Sequence, residues 1–392
     1  MTDLLIDRVR RRLVERGLTA DAGLLELALR EEADGVVDDM VFDGLRREVA
    51  AEIVGAGPLE PLLATPGVTD VVVNSPAAVW FDRGRGMERA DVRFADEAAV
   101  RRLAQRLAAT SGRRLDDATP CVDAVLADGT RLHAVVPPIS EHTTLSLRVL
   151  ARNRLTLEDL VAAGSVAAPV AEVLRGLVDA KLTFVLTGGT GTGKTTLLGA
   201  LIARAAPGER LVLIEDAAEL VVDHPHVVRL VTRAANVEGA GAVGLRELVR
   251  QSLRMRPDRL VVGEFRGAEM VELLVALNTG HEGGATLHAN SAADVPARFA
   301  ALGALAGLPE VSVAHLVASA IDVIVHLRRA EDGRRVVSEI AMLHREDERL
   351  GVTSVWSAAG GIGPAARALA ARLGARGTTV PEMLLGSAGV GP

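Results

Sequence analysis

Residues 188–195 read Gly188-Gly189-Thr190-Gly191-Thr192-Gly193-Lys194-Thr195, with Thr196 next. This is the full G-x-x-x-x-G-K-T pattern, and each residue type in it has a physical job. Glycines let successive main-chain N–H groups turn inward around a phosphate. A helix starting at the loop points its positive dipole end at the same anion. Lys194 can set a point charge against the β- and γ-phosphates, and Thr195 offers a hydroxyl to Mg²⁺. The pattern needs a strand before it and a helix after it. Leu182-Thr183-Phe184-Val185-Leu186 reads as an apolar strand and Thr196 to Arg204 as a helix. The bland alternative, a flexible glycine turn before a helix, leaves the full pattern and both flanks as coincidence.

Holding a nucleotide is not hydrolysing it. Hydrolysis needs a base or a water-positioning group near the γ-phosphate. Two acidic clusters follow apolar strands: Glu215, Asp216 and Glu219 after Leu211-Val212-Leu213-Ile214, and Glu264 after Leu260-Val261-Val262-Gly263. Ligands in open α/β sheets bind at the carboxyl ends of the strands, so Glu219 and Glu264 are candidates to converge on the loop. Carboxylates that merely complement a helix start are the alternative. It competes for Glu215 and Asp216 and is weaker for Glu264. The run Thr279-Gly280-His281-Glu282-Gly283-Gly284-Ala285-Thr286-Leu287-His288-Ala289-Asn290-Ser291 reads as a loop and strand at the same site. His288 could sense the γ-phosphate there, and a purely structural histidine is an equal reading. His224 and His226 stand close together, but without more cysteines or a helical H-E-x-x-H pattern no zinc site is expected.

The elements that must position these groups follow from periodicity. From residue 167 strands and helices alternate, which predicts a parallel sheet with crossover helices. Upstream, Val71-Val72-Val73, Val79-Trp80-Phe81 and Thr144 to Leu150 read as strands, Ala98 to Ala109 as a helix, and Val122 to Val136 as a hairpin turning at Asp128-Gly129. The predicted organisation is an N-terminal helical segment over 1–55, an α+β domain over 56–150, a linker with a short helix over 151–166, the P-loop domain over 167–356, and a flexible Gly/Ala/Pro-rich tail over 357–392.

Composition narrows the function. The 392 residues suffice for two or three domains. The net charge of −7 argues against a general nucleic-acid binder, and 2% aromatic residues with no tyrosine argue against stacking on bases. Only two lysines occur, Lys181 and Lys194. The one cysteine, Cys121, excludes an intrachain disulfide and reads as a small buried apolar residue. The N-terminus lacks the basic-then-apolar order of a signal peptide, and no apolar run reaches the length of a membrane span.

Taken in order, the P-loop, Ile214-Glu215-Asp216-Ala217-Ala218-Glu219-Leu220, Arg254-Met255-Arg256-Pro257-Asp258-Arg259 leading to Gly263-Glu264, and Thr286-Leu287-His288-Ala289-Asn290 resemble the secretion ATPase superfamily of type II secretion, type IV pili and type IV secretion, and most of all its tight-adherence (Tad/Flp pilus) branch. Gly57-Pro58-Leu59-Glu60-Pro61-Leu62, Gly67-Val68-Thr69-Asp70, Asp128-Gly129-Thr130-Arg131-Leu132-His133-Ala134 and Ser146-Leu147-Arg148 fit as well, so the resemblance spans residues 50–345.

The resemblance implies an α/β fold: a RecA-like P-loop motor domain with a smaller α+β N-terminal domain, joined by a flexible linker and assembled as a homohexameric ring. It implies ATP and Mg²⁺ as cofactors, Glu219 as the base, Glu264 as the Walker B carboxylate beside Thr195 and the metal, His288 in the histidine box, and Arg131 and Arg148 as arginines that approach the γ-phosphate. It places the motor in the cytoplasm at the inner face of the membrane, driving platform proteins, with no direct nucleic-acid contact and no membrane span of its own. Three departures stand out: a stretch from His281 to His288 one residue shorter than usual, Phe265 where a smaller β-branched residue is common, and Ala240 where arginine is frequent. A conjugal DNA-transfer motor and a nucleotide-gated scaffold with little turnover remain the rival readings. A P-loop small-molecule kinase is disfavoured because no substrate lid is recognisable.

Overall fold

The structure is a computed structural model. It describes residues 55–84, 86–149, 154–233, 235 and 239–385, together with Arg8. Apart from Arg8 and Gly55, the expected helical segment 1–55 lies outside the described residues. The chain divides into two compact units, Met1–Ala151 and Arg152–Pro392, and each is taken by itself.

The first unit is built on a six-stranded sheet of order β3-β2-β1-β6-β5-β4. Its strands are β1 (Asp70–Ser75), β2 (Ala78–Asp82), β3 (Met87–Arg89), β4 (Cys121–Val125), β5 (Arg131–Val135) and β6 (Thr144–Arg148). Every neighbouring pair is antiparallel. Alternation sets the faces. Val71, Val73, Val122, Ala124, Leu132, Ala134, Leu145 and Leu147 are buried in one cluster with Val100, Leu103 and Leu107 of the helix Glu97–Thr110. Asp96 caps that helix, its carboxylate accepting from the Ala99 N–H at 2.7 Å. The β4–β5 hairpin turns where Asp128-Gly129 predicted, with Gly129 at φ +92° and the Asp128 carboxylate accepting from the Thr130 N–H at 2.9 Å. Cys121 corrects its expectation: it falls on the odd-numbered, outward positions of β4 and is exposed.

The second unit is a nine-stranded sheet of order β15-β14-β13-β12-β7-β11-β10-β8-β9. Its strands are β7 (Phe184–Gly188), β8 (Leu211–Glu215), β9 (Val227–Val231), β10 (Arg259–Phe265), β11 (Glu282–His288), β12 (Val323–Arg329), β13 (Arg335–Glu346), β14 (Arg349–Ser357) and β15 (Gly361–Ile362). From β9 to β12 the sheet is parallel; β12 to β15 form an antiparallel edge. Strands covered on both faces read as unbroken apolar runs, which is why every residue of β7 and β8 is buried. One face packs on the helices Ala168–Asp179, Lys194–Ile202 and Ala366–Ala375. The other packs on Leu245–Ser252, Glu269–Asn278, Val295–Leu305 and Glu310–Ala320. This is the α/β architecture expected. Among the described residues, no helix is long and apolar enough to cross a membrane.

Two boundaries differ from expectation. Within the predicted linker, Thr156 and Asp159 form a capping box for the helix Leu157–Ala162, and Leu157 and Leu160 lie in the core of the second unit. The predicted flexible tail contains the helix Ala366–Ala375, whose Leu369 and Leu373 are fully buried in the same core. A high Gly and Ala content concealed a helix that needs only a few large residues to anchor it.

Candidate active site

Parallel pairing brings the carboxyl ends of β7, β8, β10, β11 and β12 to one edge of the sheet. His288 is level with Gly188, His326 with Thr187, and Val262 with Ile214. The phosphate-loop residues, both acidic clusters and the histidine turn therefore share one neighbourhood.

The loop itself is set by close approach. Gly188, Gly191 and Gly193 have φ of +149°, +71° and +91°, a region that side chains make costly. A Cβ on Gly188 would stand 2.3 Å from the Leu327 carbonyl oxygen and 2.8 Å from Thr192 Oγ1. Thr192 Oγ1 donates to the Gly189 carbonyl at 2.9 Å, closing the loop. Gly193 begins the helix Lys194–Ile202, so the main-chain N–H groups of its first turn, including Thr195 and Thr196, are free of intrahelical partners. Thr195 is half-buried and Thr196 exposed.

Lys194 is 7% exposed. Its Nζ donates to the Gly188 and Gly189 carbonyls at 2.9 and 2.8 Å and lies 3.4 Å from His288 Nδ1. Burial pushes its pKa down, and the negative charges of Glu264 and Glu219 oppose that shift. His288 Nε2 approaches Glu264 Oε1 to 2.6 Å. Burial, followed by the Lys194 charge, pushes the His288 pKa below its ordinary 6.5. The lowered pKa favours the neutral ring, which accepts a hydrogen bond from Lys194 at Nδ1 and carries its own proton on Nε2, toward Glu264. The shortened stretch from His281 still delivers His288 to the loop lysine.

The acidic strand ends divide their labour. Glu215 is 2% exposed. Its Oε1 accepts from the Glu219 and Leu220 N–H groups at 2.9 and 2.7 Å, and its Oε2 lies 3.3 Å from Arg229 Nε. Burial raises its pKa despite these partners. Glu215 therefore holds the main chain of the turn. Glu219, half-buried, is left on the side where its charge reaches Lys194 and Arg266. Glu264 Oε2 is gripped by Arg266 through Nε at 2.8 Å and Nη2 at 2.6 Å, with Asp216 Oδ2 3.7 Å from Nη1. Burial would lower the Arg266 pKa, but the bond and charge of Glu264 together with the charges of Asp216 and Glu219 outweigh it, and the net shift is upward. Glu264 Oε1 is buried and, although His288 Nε2 lies 2.6 Å away, makes no well-aligned hydrogen bond. Such an oxygen fits a water held by a metal ion. With the Thr195 hydroxyl at the loop, the donor set suits a Mg²⁺ bound together with phosphates.

The Phe265 departure has a packing reason. Phe265 is 1% exposed and meets Phe299 edge-to-face, with ring centroids 5.8 Å apart. Arg131 and Arg148 belong to the first unit, where they are register partners on β5 and β6. Arg148 is exposed and Arg131 half-buried. His224 and His226 are engaged locally, His224 Nε2 with the Ala206 carbonyl at 3.0 Å and His226 Nε2 with Arg210 at 2.9 Å. Sequence reasoning missed Arg266 and His326. Arg266 follows a strand-end carboxylate by two residues, a spacing that a chain rich in arginine disguises. His326 sits inside an apolar strand run with no local signal.

Comparison with known proteins bears on the family and the fold. Residues 52–362 match the family described as Type II/IV secretion system protein. A Mycobacterium tuberculosis (strain CDC 1551 / Oshkosh) protein provisionally named for conjugal transfer is 53% identical over 331 residues, covering 82% of this chain and 94% of that one. The conjugal transfer protein TrbB of Rhizobium radiobacter is 32% identical over 277 residues, covering 69% of this chain and 82% of its own. Among solved structures, the Legionella pneumophila ATPase DotB superposes with a TM-score of 0.52 at 19% identity, over 79% of this chain and 82% of that one. That last likeness speaks for the fold.

Proposed function

Because the chain belongs to the Type II/IV secretion system protein family, we propose that it is a Mg-ATP-hydrolysing motor that drives a secretion, pilus-assembly or conjugation machine. The observation that carries this reading is the convergence of Lys194, Glu264 and His288 at the phosphate loop. A nucleotide-gated scaffold needs a loop and a lysine. It does not need a buried carboxylate and a neutral histidine held beside them.

In this reading the loop N–H groups and Lys194 take the β- and γ-phosphates. Glu219 orients and deprotonates the attacking water, and His288 reports on the γ-phosphate through its contact with Lys194. Mg²⁺, held by Thr195 and a Glu264-bound water, would neutralise charge that builds on the bridging oxygens. Phosphoryl transfer asks mainly for positioning and charge stabilisation, and the convergence of these residues supports that reading. Arg131 and Arg148 complete the charge in an assembled ring of six chains. The ring works in the cytoplasm at the inner face of the membrane, through partner proteins.

The cargo has two readings. The tight-adherence resemblance favours pilin or protein, whereas the names of the relatives favour conjugal transfer, for which DNA would be the cargo. The acidic balance and the lack of tyrosine favour a motor that acts on protein partners in either system. Co-purification with pilus-platform proteins or with DNA-processing proteins separates them. The activity itself is tested by steady-state ATP hydrolysis across protein concentrations, beside Glu219→Gln. Turnover that rises steeply with concentration and is lost in the variant supports the motor. ATP binding without turnover at any concentration supports the scaffold.

A further inference from the structure

His326 is the one buried histidine beside the loop that the reading above leaves without a task. It is 6% exposed. On one side its Nδ1 meets Thr187 Oγ1 at 2.9 Å, and Thr187 immediately precedes Gly188. On another, the ring faces the main-chain carbonyl of Asn290, two residues beyond His288, and Gly188, next to Thr187, is itself the register partner of His288. A carbonyl can only accept, so the ring N–H goes to Asn290 and Nδ1 is left to accept from the Thr187 hydroxyl. A neutral imidazole satisfies both partners at once.

The backbone is shaped for this contact. β12 pairs with β13 through a bulge between His326 and Leu327. Bulges re-aim side chains next to functional sites. The same irregularity precedes the Leu327 carbonyl that crowds Gly188. One short stretch of β12 thus touches both the start of the phosphate loop and the turn that carries His288.

We propose that His326 is a positioning residue that fixes the histidine turn against the phosphate loop. It acts through Asn290 on His288 and through Thr187 on the loop, without touching substrate. The proposal rests on the ATPase reading. Its physical weight comes from the Lys194–His288 separation of 3.4 Å, where a further displacement of the turn breaks the contact.

The test uses the full chain with Mg-ATP, measuring kcat, ATP affinity by equilibrium binding, and thermal stability for each variant. His326→Leu keeps the volume and removes both the bond to Thr187 and the polar contact with Asn290. It is expected to lower kcat by about 10²-fold while ATP affinity changes by less than about threefold, because misplacing a catalytic group by an ångström acts on the transition state. His326→Gln again offers one acceptor and one donor and is expected to restore kcat to within about fivefold of the parent. Thr187→Val, which removes the other end of one bond, is expected to give an intermediate kcat and serves if His326→Leu does not fold. Parental kcat in a folded His326→Leu or in Thr187→Val overturns the proposal, as does a His326→Gln that folds and is no better than the leucine variant. A parent chain that hydrolyses no ATP overturns the ATPase reading instead.

Discussion

His288 Nε2 stands 2.6 Å from Glu264 Oε1 at the carboxyl ends of β11 and β10, while its other ring nitrogen faces Lys194. The ring is a bridge between the Glu264 carboxylate and the Lys194 ammonium. His288→Ala is expected to lower kcat by about 10²-fold with a smaller effect on KM, the pattern of a contact made in the transition state. Steady-state kinetics on the purified variant checks this. An unchanged kcat would return His288 to a structural role.

The first unit offers a prediction that depends on assembly. Arg131 and Arg148 are paired across β5 and β6. If they supply charge to a neighbouring γ-phosphate, Arg148→Gln leaves ATP affinity at low protein concentration unchanged. It then removes about 10³-fold of the turnover that appears on assembly. Hydrolysis titrated against protein concentration, with binding measured separately, distinguishes this from a general folding defect.

Arg259 is 2% exposed at the start of β10. Its Nε donates to Glu209 at 2.6 Å and its Nη2 to the Val178 carbonyl at 2.9 Å. Breaking a buried pair by removing one partner costs about 3–5 kcal/mol, so Arg259→Met should lower the denaturation midpoint strongly. Adding Glu209→Leu should recover part of the loss. The pH dependence has a definite sign. Burial would raise the Glu209 pKa, but the bond and charge of Arg259, with the Ala206 N–H and the Lys181 charge, together hold it below its ordinary 4.5. The stabilisation is therefore present above the unfolded value and is lost as pH falls through the lower folded one. Denaturant melts at acidic pH, with and without Glu209→Gln, would show the window.

Glycine 283 is a packing requirement that leaves the chemistry untouched. A Cβ there would lie 1.8 Å from the Leu260 carbonyl oxygen on the neighbouring strand. Gly283→Ala must push β11 away from β10 and should prevent recovery of folded protein. At Gly208 an added Cβ meets nothing within 4 Å, and Gly208→Ala is expected to stay within about 0.5 kcal/mol of the parent. Thermal melts of the pair make the comparison.

Much of this was legible in the sequence because local pattern and global fold agree there. The glycine loop declares itself, since glycine spacing, lysine, the preceding strand and the following helix all agree with one another. The β4–β5 hairpin and the buried strands follow from alternation and apolar runs. What stayed hidden depends on pairing across the sheet. Nothing around Glu215 tells that its carboxylate turns back on the Glu219 and Leu220 N–H groups, which is what separates it from Glu219. His326 gains meaning only when register sets it beside Thr187. Cys121 was assigned by residue type, when its place on an outward strand position decided its exposure.

Both lysines of the chain flank a single strand. Lys181 precedes β7, with a side chain 42% exposed near Glu209 and Glu282, and Lys194 follows it with its amine tied to two carbonyls. An amine-reactive label therefore meets just two side-chain targets in the whole protein. The modification ratio between them, read by peptide mass, becomes a built-in gauge of the phosphate loop: Lys181 is the internal standard, and Lys194 reports protection by whatever the loop holds. The scarcity of lysine turns the native chain into its own probe, with no residue replaced.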